Sequence, residues 1–133
     1  MYSENSLLAK IAVTLLPELN SGIYYPLIQR CGGISAFFGE KEQVISSIYQ
    51  EFNLPSHFFD RKKAMYEAEK ELELMNKHQI QICSAEDDGY PYLLRQCEDF
   101  PVVFYYKGDP FYSLEQKLLA IVGTRHASVR YQE

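Results

Sequence analysis

The residues best suited to chemistry stand close together near the end of the chain, at Gly123, Thr124, Arg125 and Ser128. Glycine lets a ligand or another backbone approach closely, because it carries no side chain. The two hydroxyls can hydrogen-bond to an anion, and the planar guanidinium of arginine matches the oxygens of a phosphate. No Asp or Glu occurs in residues 117–131, although the chain is acidic overall. This combination predicts a phosphate-binding loop.

A strand must position this loop, and the preceding residues can form one. Residues 118–122 are all apolar and do not alternate with polar residues, so a strand here would be buried on both faces, as in a parallel sheet. A buried strand followed by glycine and polar groups is typical of phosphate sites in α/β sheets. The alternative interpretation is an ordinary strand end with one exposed arginine, since short glycine motifs often match by chance.

Composition and charge limit the classes of protein that the chain can represent. Its 133 residues are 47% hydrophobic and 23% charged, which is typical of one globular domain, or of one small domain and part of another. The net charge of −5 argues against a generally basic nucleic-acid binder but permits a local basic site. No apolar run approaches the roughly 20 residues that a membrane-spanning helix needs, and the first residues lack the pattern of a signal peptide.

The three cysteines are widely spaced and form no CxxC pair. This pattern predicts reduced thiols in a cytoplasmic protein and argues against a zinc site. We expect no metal and no other cofactor.

Helical spacing of apolar residues dominates the first half of the chain. The pattern predicts a helix over residues 7–16, with Ser6 able to serve as N-cap and Pro17 as its end, and a second helix that ends at Gly32-Gly33. Two helices joined by a Leu-Pro turn resemble the DNA-binding helix-hairpin-helix. Glu18 and Asn20 occupy the places of the turn glycines in that motif, so we interpret this turn as a degenerate hairpin kept for packing.

Further amphipathic helices are predicted over residues 34–38, 44–52 and 60–77. The last begins with the densest basic cluster, Arg61-Lys62-Lys63, which could contact nucleic acid. The favoured interpretation is a solvated helix start that is balanced by glutamates one turn later. Six aromatic residues beside aliphatic positions are predicted to form the core of a small bundle rather than stacking platforms: Tyr24, Tyr25, Phe37, Phe38, Phe58 and Phe59.

The pattern changes after Lys77. Alternation over residues 79–82 predicts a strand, residues 85–89 an acidic turn, and residues 102–106 a second strand that ends at Lys107-Gly108. A short helix through Leu94 lies between them. This order is typical of the beginning of a three-layer α/β domain. We therefore predict an α+β fragment, with a helical domain over residues 1–77 and a truncated α/β domain over residues 78–133.

The motifs from residue 90 onward follow a recognisable order. They are Tyr90-Pro91, Leu94, Asp99-Phe100-Pro101, Phe104-Tyr105-Tyr106-Lys107-Gly108 and Ala120-Ile121-Val122-Gly123-Thr124-Arg125. Over about residues 88–128 this order resembles the family of the DNA-processing protein DprA, also called Smf. The first part of the chain resembles the family's sterile-alpha-motif-like (SAM-like) N-terminal domain. The resemblance implies a SAM-like helical domain followed by the first strands of an extended Rossmann domain.

The resemblance also implies a function. DprA proteins bind single-stranded DNA and help to load the recombinase RecA during natural transformation, and they are not known as enzymes. The DNA phosphate would lie on Gly123, Thr124 and Arg125, with Ser128 in support. Lys107 and Arg130 are further candidate contacts, and a homodimer would form through the part of the family's domain beyond residue 133. Arg130-Tyr131 departs from the family, which commonly has Tyr-Gly there.

Two other functions stay open. A Rossmann-type nucleotide hydrolase or phosphoribohydrolase would need a general acid or base near the phosphate, and the visible loop offers only His126. A helical protein-interaction module would bind no nucleic acid in this chain. Binding to DNA phosphates is distinguished from both by a steep dependence on salt.

Overall fold

A computed structural model describes residues 4–17 and 21–108. Within these residues the chain forms six helices and one two-stranded antiparallel sheet, which confirms the predicted α+β class in its coarse form. The Rossmann and SAM-like assignments stay predictions, because the described strands include no parallel pair. The elements in chain order are α1 (Glu4–Val13), α2 (Ser21–Cys31), α3 (Ile34–Gly39), α4 (Glu42–Glu51), α5 (Arg61–His78), β1 (Gln81–Ser84), α6 (Tyr92–Arg95) and β2 (Val103–Tyr106).

Helix α1 differs from its prediction at both ends. It is already helical at Glu4, so Ser6 lies inside the first turn and the N-cap prediction for Ser6 was wrong. An acidic residue in the first turn is favourable there, because the helix dipole is positive at that end. The helix ends at Val13, and a tighter turn follows, in which the Leu16 N–H donates to the Val13 carbonyl at 3.1 Å.

The predicted glycine end of α2 is confirmed. Gly32 and Gly33 have φ angles of 100° and 123°, which side-chain-bearing residues rarely adopt. The Gly33 N–H donates to the Ile28 carbonyl at 3.0 Å and so closes the last turn of the helix. Helix α3 begins at the next residue, and the side chain of Glu86 accepts a hydrogen bond from the Ile34 N–H at 2.8 Å. A residue far along the chain therefore satisfies the start of α3.

Helix α5 is the longest element and packs along α1. Its N-cap is Asp60, whose carboxylate accepts from the Lys63 N–H at 3.0 Å. It ends at Gln79, which adopts the left-handed conformation with φ 56°. Two small buried residues, Ala64 and Ala68, permit close approach of a neighbouring helix.

The core lies among helices α1 to α5 and extends to the two-stranded sheet. The predicted aromatic core is confirmed: Tyr24 and Phe37 are buried, and the other four rings are half-buried and packed against the same cluster. Three residues that the helical spacing placed on apolar faces are exposed instead, so these assignments are wrong: Leu15, Ile23 and Val44, by 37%, 47% and 42%. Fully buried residues in this core include Ile11, Leu27, Ile28, Ile34, Ile45 and Tyr49.

The sheet pairs β1 with β2 in antiparallel register, with Gln81 opposite Tyr106 and Ser84 opposite Val103. The first strand begins two residues later than its alternation predicted, because Gln79 caps α5. Ile82 and Val103 pack into the helical core, whereas Cys83 joins a smaller cluster. The division between residues 77 and 78 stays a prediction. None of the helices in the described ranges combines the length and apolar character that crossing a membrane requires.

Candidate functional site

Most of the predicted phosphate loop lies outside the described residues. This applies to Gly123, Thr124, Arg125, Ser128 and Arg130, and also to Glu18 and Asn20 of the predicted hairpin. Their arrangement therefore stays a prediction, and Lys107 is the one predicted site residue that the structure describes.

Lys107 follows the last residue of β2 and is exposed to solvent. The next residue, Gly108, has a φ angle of 91°, so the backbone turns there in a way that favours glycine. The Gln81 side-chain amide donates to the Gly108 carbonyl at 3.3 Å and ties this turn to the start of β1. The lysine is thus presented at a fixed end of the sheet, with its ammonium available to an anion.

At the opposite end of β2, two of the sequence motifs contact each other directly. The hydroxyl of Tyr90 donates to the Pro101 carbonyl at 2.6 Å, and the Ala85 N–H donates to the Val102 carbonyl at 2.7 Å. Burial raises the pKa of Tyr90 to about 12, although the positive charge of Arg95 opposes this shift. Tyr90 therefore remains a neutral donor at ordinary pH and fixes where β2 begins.

Arg95 stands at the centre of this region. Its guanidinium donates to the Ala85 carbonyl at 3.0 Å and to the Tyr25 hydroxyl at 2.8 Å. It also lies 4.8 Å from the ring centroid of Tyr25, 5.2 Å from that of Phe100 and 5.7 Å from that of Tyr90, which are favourable cation–π distances. Sequence reasoning missed this role, because Tyr25 lies 70 residues away on α2.

The predicted acidic turn also has a structural role. The Asp87 carboxylate pairs with the Lys10 ammonium at 2.8 Å and accepts from the Ser84 N–H at 2.7 Å. Glu86 caps α3, as described above. Both acids are thus used to hold the turn against the helices. No group of three or more His, Cys, Asp and Glu residues within ranges 4–17 and 21–108 is arranged to hold a metal ion.

The comparison with known families places the second part of the chain. Residues 81–133 match the family model described as DNA recombination-mediator protein A. This match confirms the predicted resemblance to the DprA family for this part of the chain. No curated protein and no solved structure matches the chain at a significant level.

Proposed function

We propose that this chain, whose residues 81–133 match the DNA recombination-mediator protein A family, binds single-stranded DNA as an accessory protein of recombination. The observation that carries the proposal is that the matched segment includes Gly123, Thr124 and Arg125. In this proposal a backbone phosphate lies on these three residues and on the hydroxyl of Ser128. The chain acts by binding and has no catalytic activity of its own.

The chemistry of the loop supports this proposal. An arginine fork can donate two parallel hydrogen bonds to a phosphate, and such charge-assisted bonds are stronger than neutral ones. The absence of acidic residues from 117–131 removes the nearest source of repulsion. Lys107 and Arg130 add positive charge to the same segment, and Lys107 is exposed at the end of β2.

The packing at the other end of the sheet supports the geometry that such a site needs. The Tyr90 hydroxyl donates to the Pro101 carbonyl just before β2, and the Arg95 guanidinium donates to the Ala85 carbonyl just after β1. β2 is paired with β1 over all four of its residues, from Val103 opposite Ser84 to Tyr106 opposite Gln81. A binding residue at the end of this strand, such as Lys107, is therefore held on a rigid support rather than on a free loop.

Fluorescence anisotropy tests the proposal directly. The chain is titrated into a labelled oligo-dT strand at low and at near-physiological salt, and log affinity should fall by about 0.7 per contacted phosphate for each tenfold increase in salt. Arg125→Ala should weaken binding by about 1.5–3 kcal/mol, the range for a hydrogen bond to a charged group. Arg30→Ala is the matched control, because Arg30 is an exposed arginine on α2 and should leave affinity unchanged. Unchanged affinity in Arg125→Ala contradicts the proposal.

The loading of RecA onto the bound strand is the second part of the proposal. It rests on the family match alone. A homodimer and a cytoplasmic location belong to the same proposal. The measurement is the rate at which RecA assembles on single-stranded DNA with and without the protein. A protein that binds DNA but leaves this rate unchanged would retain the first part of the proposal and lose the second.

A protein-interaction module is the second candidate function. Tyr92 and Leu93 favour it, because they are neighbours on α6 and are exposed by 72% and 66%. Aromatic residues such as tyrosine are enriched in protein interfaces. Absence of DNA binding at both salt concentrations would favour this candidate. A nucleotide hydrolase is the weakest alternative, since it would have to turn over a nucleotide with His126 as its acid or base.

A further inference from the structure

The outer edge of β2 offers backbone groups that the two-stranded sheet does not use. The Ala85 N–H donates to the Val102 carbonyl, and hydrogen-bonded pairs alternate along an antiparallel ladder. Every second residue of β2, starting from Val103, therefore directs its backbone N–H and carbonyl away from β1; these residues are Val103 and Tyr105. Within residues 4–17 and 21–108, no third strand pairs with this edge. The edge can accept one further strand.

A mostly apolar groove begins at Tyr105. It has a volume of about 390 Å³, lies between β2 and the last turns of α5, and is lined by Glu71, Leu74, Met75, His78, Ile80 and Tyr105. Leu74 and Tyr105 are exposed by 51% and 43%, although both side chains are large and hydrophobic. The Tyr105 hydroxyl lies 3.5 Å from the Thr14 hydroxyl, just after α1. A free strand edge beside such a groove favours an occupant that supplies both backbone groups and apolar side chains.

Both faces of the sheet are covered next to this edge. On one face, Ile82 and Val103 pack into the helical core. On the other face, Cys83 is part of the smaller cluster, against which the rings of Phe104 and Tyr106 pack. A strand added to the edge would lie between the same two layers. Its side chains should therefore be apolar at successive positions, not at every second position.

Residues 118–122, Leu-Leu-Ala-Ile-Val, have this character and lie outside the described residues. They follow β2 after a short connection, and strands that are consecutive in sequence are commonly neighbours in a sheet. We propose that residues 118–122 pair with the outer edge of β2 and pack their side chains against the groove at Leu74 and Tyr105. The occupant is thus a segment of this chain, and the pairing uses backbone hydrogen bonds and apolar contact rather than charge.

The connection determines the direction of the added strand. A parallel neighbour needs a crossover of about a dozen or more residues, usually with a helix that covers one face of the sheet. Only residues 107–117 are available, they include Pro110, and both faces beside β2 are already covered. Gly108, with a φ angle of 91°, turns the backbone soon after β2 ends. The added strand is therefore antiparallel to β2.

This direction places the predicted phosphate loop relative to the sheet. In an antiparallel neighbour, residue 118 lies near the end of β2 and residue 122 near its beginning. Gly123 then follows at the end of the sheet where the Tyr90 hydroxyl donates to the Pro101 carbonyl. Lys107 lies at the other end, so Lys107 and Arg125 would contact different phosphates of a bound strand. Only this last step rests on the proposed function, because the pairing itself requires no DNA.

NMR of the whole 133-residue chain, labelled with carbon-13 and nitrogen-15, tests the pairing. Nuclear Overhauser effects between backbone protons should connect Tyr105 to the first residues of the 118–122 segment and Val103 to its last residues. The reverse order would contradict the antiparallel direction. Absence of any such contact between the segment and β2 overturns the proposal.

A charge in the segment gives a second measurement. Ile121→Asp should abolish these contacts and accelerate hydrogen exchange at the Val103 and Tyr105 amides, because a carboxylate does not fit between two apolar layers. Leu93→Asp is the matched control: Leu93 is 66% exposed on α6, and its replacement should change neither. Slow exchange at Ile48, in the helical core, shows that each variant remains folded. Unchanged exchange at Val103 and Tyr105 in folded Ile121→Asp overturns the proposal.

A second copy of the chain is the competing occupant of this edge. Contacts that strengthen with protein concentration, and that connect labelled to unlabelled chains in a mixed sample, would assign the edge to that copy and overturn the proposal. Arg125→Ala should leave the contacts between β2 and the segment unchanged while it weakens DNA binding. Failure of the pairing and failure of the proposed function are therefore measured separately.

Discussion

At the scale of single residues, buried hydroxyls show how strongly a hydrogen-bond partner matters. The hydroxyl of Tyr49 is buried and has no hydrogen-bond partner within the described part of the chain, whereas that of Tyr90 donates to the Pro101 carbonyl. Tyr49→Phe should therefore raise the free energy of unfolding by about 1 kcal/mol, and Tyr90→Phe should lower it by about as much. Urea denaturation measures both changes. A loss of stability in Tyr49→Phe would contradict the prediction, because it would show that the Tyr49 hydroxyl makes a stabilising hydrogen bond.

Single residues also differ in the reactivity of their thiols. Burial, and next the charge of Asp87, raise the pKa of Cys83 to about 11, and burial raises the pKa of the half-buried Cys31 as well. Cys97 is exposed. Because the thiolate is the reactive form, a thiol reagent at pH 8 should give one fast phase, from Cys97, and slower phases from the others. Cys97→Ser should abolish the fast phase, and its persistence would refute the assignment.

At the scale of elements, one ion pair joins α1 to the turn after β1. The side chains of Lys10 and Asp87 are exposed by only 4% and 11%. Lys10→Met should lower the free energy of unfolding by about 3–5 kcal/mol, because it removes the cation that is paired with a buried carboxylate. Adding Asp87→Asn should restore part of this loss, since the amide keeps an acceptor for the Ser84 N–H.

The control for the buried Lys10–Asp87 pair is an ion pair that is exposed to solvent. Arg30 and Glu51 join α2 to α4 at 3.1 Å, but their side chains are 55% and 48% exposed. Arg30→Met should therefore cost less than about 1 kcal/mol. Equal losses from the Lys10 and Arg30 variants would mean that burial does not decide the strength of these contacts.

At the scale of elements, features that depend on neighbouring residues could be predicted, whereas contacts between residues far apart in sequence could not. The helices follow from local apolar spacing, and the end of α2 follows from two glycines whose φ angles require that residue. Arg61 and Arg95 could not be assigned, because their partners lie 24 and 70 residues away. The local charge pattern predicts a solvated helix start for Arg61, and this prediction is wrong because packing leaves the residue only 6% exposed and brings the Phe37 carbonyl to its guanidinium. The phosphate loop from Gly123 to Arg125 stays a prediction that rests on sequence and the family match.

At the scale of the whole molecule, the buried weak acids predict how stability depends on alkaline pH. Burial raises the pKa of Tyr49 to about 12 against the attraction of Arg61, and the pKa values of Tyr90 and Cys83 are raised to about 12 and about 11. Each group is neutral when protonated. Below about pH 8 the folded and the unfolded chain both hold these protons, so the three groups add almost no pH dependence there.

Above pH 9 the unfolded chain releases these protons first, because its thiols and phenols keep their ordinary pKa values of 9.0 and 10.0. The free energy of unfolding should therefore fall between about pH 9 and pH 12, by at most about 1.4 kcal/mol per pH unit for each group. Urea denaturation at pH 8, 9, 10 and 11 measures this fall. Tyr49→Phe removes one group and should make the fall above pH 10 shallower, whereas an unchanged slope would show that Tyr49 ionises as readily in the folded chain as in the unfolded one.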